Sequence, residues 1–286
     1  MGEKMKTKIS VTIFLVLLMI VFTACSSNQK NATEMQDKYA KNDKGEPTRS
    51  FTSAELQAAE KALQNGVKID DQENDFFKIA PGTMQPDGRP DNPNPYPLPW
   101  TDFRSVSFGA DENYLYVRFQ FWGKFPKKGI IYDGDMIWST GAKIDEIDFV
   151  NKNDSAEFGS GVMFVRDDEN GNRVLADKSS VGHLTMISPQ GHDEKMETIY
   201  KTRTGAGMVA AGPGYDYVLS AIPLRIFGVK PGDEIIISFA TETGSSKYHH
   251  EAIDFILDDT EHTVKGGAKL KYKLGSNSYE NLGIPD

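Results

Sequence analysis

From Tyr114 to Phe121 the chain alternates without a break. Leu115, Val117, Phe119 and Phe121 fall on one face, and Tyr114, Tyr116, Arg118 and Gln120 on the other. A period of two marks a strand with one buried and one wetted face; a helix would scatter those four apolar side chains around its axis. Such a strand needs a second layer to pack on, and its neighbours are punctuated by turn residues. Asp111-Glu112-Asn113 separates it from an apolar stretch over 105–108 and predicts a hairpin. Asp168-Glu169-Asn170-Gly171, between 162–165 and 173–176, predicts another. Further strands are expected over 215–222, 234–241 and 252–257, with Pro231-Gly232-Asp233 as a turn. Lys269, Lys271 and Lys273 alternate with Ala268, Leu270, Tyr272 and Leu274, and lysines along one face predict an edge strand guarded against pairing. One helix is expected over 51–67. Thr52 or Ser53 would cap it, Glu55 would close a capping box, Leu56, Ala59 and Leu63 would share a face, and Gly66 would end it. Many short strands and a single helix predict an all-β fold, an antiparallel β-sandwich of jelly-roll type over 68–275, with 276–286 a loose tail.

The N-terminus has a different composition. Lys4, Lys6 and Lys8 precede an apolar run from Ile9 to Phe22, 14 residues long. That is too short to cross a hydrocarbon core of about 30 Å as a helix, and it fits the apolar region of a signal peptide. Phe22-Thr23-Ala24-Cys25 follows, with small residues before the cysteine. The segment resembles the lipobox of bacterial lipoproteins, departing from it at Phe22, where Leu is usual. The resemblance implies removal of 1–24, diacylglycerol on the Cys25 sulfur with further acyl chains such as palmitate, and an extracytoplasmic, membrane-anchored domain. An ordinary secretory signal or a short anchor helix is the competing reading. Residues 25–50 are polar and poor in large apolar side chains, which predicts a disordered, flexible tether.

Cys25 is the only cysteine, so no intramolecular disulfide and no thiolate metal cluster can form. The domain must rest on its core, and some 200 residues suffice for a sizeable one. Losing Glu3 and the three lysines would take the net charge from −9 to about −11. Such acidity argues against nucleic acid, and against anionic lipid as a partner of the domain itself.

Seven of the 14 prolines lie between Pro81 and Pro99. That stretch is expected to be extended and stiff, either presenting Tyr96 and Trp100 at the surface or tucking them into the core. Trp100, Trp122 and Trp138 are expected in or near loops, with Tyr96, Tyr132 and Tyr248 available beside them. Trp122 continues the alternation beyond Gln120 and is the tryptophan expected to face outward; core packing is the competing reading for each. Acidic loops at Asp133 and Asp135 around Gly134, at Asp145 with Asp148, and at Asp167-Asp168 are candidates for Ca²⁺, as are Asp154 and Glu157. None has the EF-hand spacing, and solvated turns or structural roles explain them as well. No Gly-x-Ser-x-Gly elbow or Walker loop occurs, and His249-His250-Glu251 lacks the i, i+4 pair of a zinc protease.

Three stretches carry a resemblance. Trp100-Thr101-Asp102-Phe103 leading to Tyr114-Leu115-Tyr116-Val117, then Asn153-Asp154-Ser155-Ala156-Glu157-Phe158, then the 217–224 strand ending Ile222-Pro223-Leu224, resemble family 9 carbohydrate-binding modules and related DOMON-like sandwiches. The similarity would cover 68–275. It departs at 123–150, which is long, and at 178–212, which is expected to contain a glycine-rich loop. Members bind sugars or haem, so the resemblance implies a non-catalytic ligand-binding module, with carbohydrate the first expectation. Trp and Tyr faces would stack on the C–H side of a sugar ring while acids and amides take its hydroxyls. The sites expected on this reading are Tyr96, Trp100, Trp122, Trp138 and Tyr248. The alternatives are an envelope assembly lipoprotein that binds another protein, and a glycan-active hydrolase built on two of the 41 acids.

Overall fold

A computed structural model describes residues 49–73, 98–132, 134–149, 154–188, 197–199, 207–212, 214–245, 251–257 and 267–284. The expected signal peptide, Cys25 and all but the last two residues of the expected tether lie outside them, as do Tyr96 and Tyr248.

The strands are numbered in chain order. β1 (Val67–Asp70), β2 (Phe103–Ala110), β3 (Tyr114–Phe121), β9 (Met208–Ala210) and β10 (Tyr217–Pro223) make a five-stranded sheet in the order β1-β2-β3-β10-β9. The second sheet runs β14-β13-β11-β5-β6-β7-β8. It comprises β5 (Asp135–Phe149), β6 (Asp154–Asp167), β7 (Arg173–Ser188), β8 (Glu197–Ile199), β11 (Glu234–Ser245), β13 (Lys269–Lys273) and β14 (Tyr279–Gly283). β4 (Ile130–Tyr132) pairs with β5, and β12 (Glu251–Phe255) with β11. All these strand pairs are antiparallel.

The sheets pack face to face, as the alternation requires. Leu115, Val117, Phe119 and Phe121 are all buried in one core with Ile235, Ile237 and Phe239 of the opposite sheet. Phe108 lies 5.4 Å from Phe239 and edge-on to Tyr272 at 4.9 Å; Phe119 meets Phe239 at 5.9 Å. Aromatic pairs of this kind add to the gain from burial itself. Ser160 and Ser220, buried on facing sheets, hydrogen-bond to each other at 2.9 Å, so neither hydroxyl is stranded in the core.

The turn chemistry is visible in the bonds. Asp111 Oδ1 accepts the backbone N–H groups of Asn113 and Tyr114, both at 2.8 Å, and Oδ2 accepts the Tyr116 hydroxyl at 2.8 Å. In the β6–β7 turn Asp168 accepts from the Asn170 and Asn172 amides, and Gly171 takes φ +78°. α1 (Ser53–Gln64) carries the expected capping box: Thr52 accepts the Glu55 amide and Glu55 accepts the Thr52 amide. Its buried Ala59 and Leu63 lie on Tyr116, Leu219, Ala221 and Met208, the outer face of the first sheet.

Four expectations need correction. Residues 276–286 are not simply a tail, because Tyr279–Gly283 forms β14 along β13. The lysine-bearing β13 is therefore not an edge: Lys269 and Lys271 approach Asp148 and Glu234 of other strands, at 3.9 and 3.4 Å. The stretch expected as glycine-rich loop begins as strand, since β7 runs on to Ser188. At the tether's end, Arg49 is docked: its amide donates to the Gly207 carbonyl at 3.1 Å, and its carbonyl accepts from Val209 at 3.0 Å.

Candidate functional site

Helix α1 covers only part of the first sheet's outer face. Beyond it, among the described residues, the outer face is open around Gln120 and Trp122 at the end of β3 and around Tyr215 and Tyr217 at the start of β10. Because strand side chains alternate, Arg118 and Gln120 point out where Phe119 and Phe121 point in, and Trp122 continues their parity. Trp122 is 38% exposed, unusual for so large an apolar side chain. The guanidinium of Arg104, itself exposed, lies 5.3 Å from the centre of the indole, within cation–π range.

On β10, Tyr217 is paired in register with Gln120. Continuing that register brings Tyr215 level with Trp122 on the same face. Tyr215 is 44% exposed and stacks on Tyr217 with ring centres 5.2 Å apart and planes 21° apart. The Arg118 guanidinium sits 5.3 Å from the Tyr217 ring and forms a forked ion pair with Glu60 of α1. Burial pushes the Tyr217 hydroxyl above its ordinary pKa, with the neighbouring Tyr215 adding to this, so Tyr217 is a neutral donor at any physiological pH.

Three loops are fastened together beneath this face. The Trp122 amide donates to the Asp102 carbonyl at 3.1 Å, and the Gly123 amide to the Pro99 carbonyl at 2.6 Å. The Phe125 amide donates to the Tyr215 carbonyl, and the Gly214 amide to the Phe125 carbonyl, both at 2.8 Å. Gly123 is required here, because a Cβ would stand 2.5 Å from Pro99 Cβ. The indole thus stands on a braced corner, which lowers the entropy lost when a ligand is held.

Of the expected site residues that are described, Trp100 and Trp122 share the braced corner, whereas Trp138 belongs to the other sheet. Trp100 lies in the loop before β2, half-buried against the core, with its Nε1 shielded from solvent. Trp138 was expected in or near a loop and instead sits half-buried within β5, in the other sheet. Asp135 opens β5 opposite Tyr132 and is buried, and Asp133 lies outside the described residues. Asp154 and Glu157 belong to β6. Asp148 lies on β5 near Lys269. Among the described residues no three His, Cys, Asp or Glu side chains gather in a way that could hold a metal ion. Tyr215, Tyr217, Arg104 and Arg118 were not singled out in advance. The signal for the tyrosines was their i, i+2 spacing ahead of a buried strand, which puts both rings on one face.

No protein-family model, curated protein or solved structure matches this chain.

Proposed function

We propose that this chain is a lipoprotein, held outside a bacterial membrane by a lipid on Cys25, whose sandwich is a non-catalytic module that binds carbohydrate at the Trp122 face. The observation that carries the reading is the outward indole beside the stacked Tyr215–Tyr217 pair, on a braced sheet surface. A pyranose can lay its C–H face on the exposed rings, while the Gln120 amide, the tyrosine hydroxyls and the free Arg104 donors meet its hydroxyls.

The test is a glycan array probed with the full chain in nonionic detergent, with and without Ca²⁺. Saturable binding that Trp122→Ala abolishes, and Trp138→Phe leaves intact, is the expected result. Silence across the array in both conditions would remove the carbohydrate reading. A second reading, an assembly lipoprotein that binds another envelope protein, is favoured by one feature. Among the described residues β14 is exposed along its whole length, presents Tyr279 and Leu282, and has no strand on its outer side, an edge of the kind a partner strand can join.

A further inference from the structure

The chain on both sides of Trp122 carries cations and no acids, although the protein as a whole is acidic. From Tyr114 to Tyr132 there is no acidic residue, whereas Arg118, Lys124, Lys127 and Lys128 are all there, in a chain of net charge −9. Arg118 is neutralised by Glu60. Lys124, Lys127 and Lys128 are exposed, and so is Arg104. Among the described residues, none of these four cations forms an ion pair.

Their placement is set by the bonds that brace the corner. Lys124 lies between Trp122 and Phe125, whose amide is tied to the Tyr215 carbonyl. The Lys127 carbonyl accepts the Ser179 amide, and its side chain runs beside Gly214, next to Tyr215. The acids nearest along the fastened segments are Asp102 and Asp254, both buried, with Asp71, Asp177 and Asp216, and none forms an ion pair with Arg104 or with a lysine of this loop. An acidic protein that gathers unneutralised cations around its most exposed indole creates a local field opposite to its overall charge. Neutral sugar hydroxyls have no use for that field. Anionic groups spaced along a polymer do, since guanidinium and ammonium donors make charge-assisted bonds to them.

We propose that the ligand of the Trp122 face is an acidic polysaccharide, its rings stacked on the aromatic side chains and its carboxylate or sulfate groups met by Arg104, Lys124, Lys127 and Lys128. This rests on the carbohydrate reading above and narrows it.

The test uses the full chain in nonionic detergent. Polygalacturonate and heparin serve as carboxylated and sulfated probes, and methyl-esterified polygalacturonate and dextran as neutral ones. Saturable binding to an anionic probe is expected, at least about tenfold tighter than to the neutral polymers and weakening as salt is raised. Trp122→Ala should abolish it. The triple variant Lys124→Gln, Lys127→Gln, Lys128→Gln should weaken it about tenfold, as expected for three exposed charge contacts, with an unchanged melting curve. Equal binding of neutral and anionic polymers, or an undiminished triple variant, would overturn the charge assignment and leave the carbohydrate reading standing. Binding of no polymer would overturn both. Binding to no anionic glycan, together with tighter binding in detergent-free buffer to phosphatidylglycerol–phosphatidylcholine vesicles than to pure phosphatidylcholine vesicles, would overturn the proposal in favour of a membrane surface.

Discussion

At the scale of single residues, one aspartate and one tryptophan show how much a local pattern can determine. Asp111 accepts three hydrogen bonds at the β2–β3 turn, from two amides and the Tyr116 hydroxyl. Burial first, and then that bond, push the Tyr116 pKa up, so Tyr116 remains a donor throughout the working range. Asp111→Ala is expected to cost about 2 kcal/mol in urea unfolding, because it leaves a buried hydroxyl without its charged acceptor. The turn was legible in advance because Asp, Glu and Asn break an apolar pattern at a place where only a hairpin can follow. The outward aim of Trp122 was legible for the same reason, parity along one strand. The tyrosines beside it were not, since a cross-strand neighbour depends on which strands pair, and periodicity within one strand carries no such information.

At the scale of elements, the helix was the clearest prediction and its start can be tested. Glu55 is held at about 2, below its ordinary 4.5, by its bond to the Arg49 side chain first and then by the Thr52 amide. A lowered native pKa means stability that is fully present above about 4.5 and fades as the pH falls through 2. Glu55→Gln should therefore be less stable than the parent at neutral pH, with the gap closing as both are titrated towards pH 2 in urea melts. Thr52→Ala removes the other half of the box and should cost about 1 kcal/mol at neutral pH. The long strands of the second sheet were much harder to foresee. Gly141, Gly161 and Gly182 stand in register across β5, β6 and β7. A Cβ on Gly141 would lie 2.5 Å from Gly161 Cα, so the glycines reflect close strand approach. In sequence, glycine and serine in place of outward polar residues read as loop. β14 was missed for a related reason: every residue in it is exposed, so it has no buried face to write an alternation.

At the scale of the whole molecule, the sandwich followed from composition and pattern, but the order of strands within its sheets did not. Pairing such as β3 with β10, or β5 with β11, joins segments roughly 100 residues apart and is set by how the two apolar faces fit together. Phe119 sits where they meet, against Phe103 and Phe239. Phe119→Ala should cost about 3–5 kcal/mol, read as a lowered urea midpoint at unchanged slope. The same architecture separates stability from recognition. The core lies between the sheets, whereas Trp122, Tyr215 and Arg104 stand outside it on a braced corner, so changes there should spare the fold. The most direct test of that division is made on the variant Trp100→Phe, Trp138→Phe, in which Trp122 is the only indole left. Titration with whichever glycan the array identifies should give a saturable change in emission and should shield the indole from acrylamide. If a glycan binds while the emission and quenching of Trp122 stay as they were, the ligand sits elsewhere and the assignment of this face is wrong.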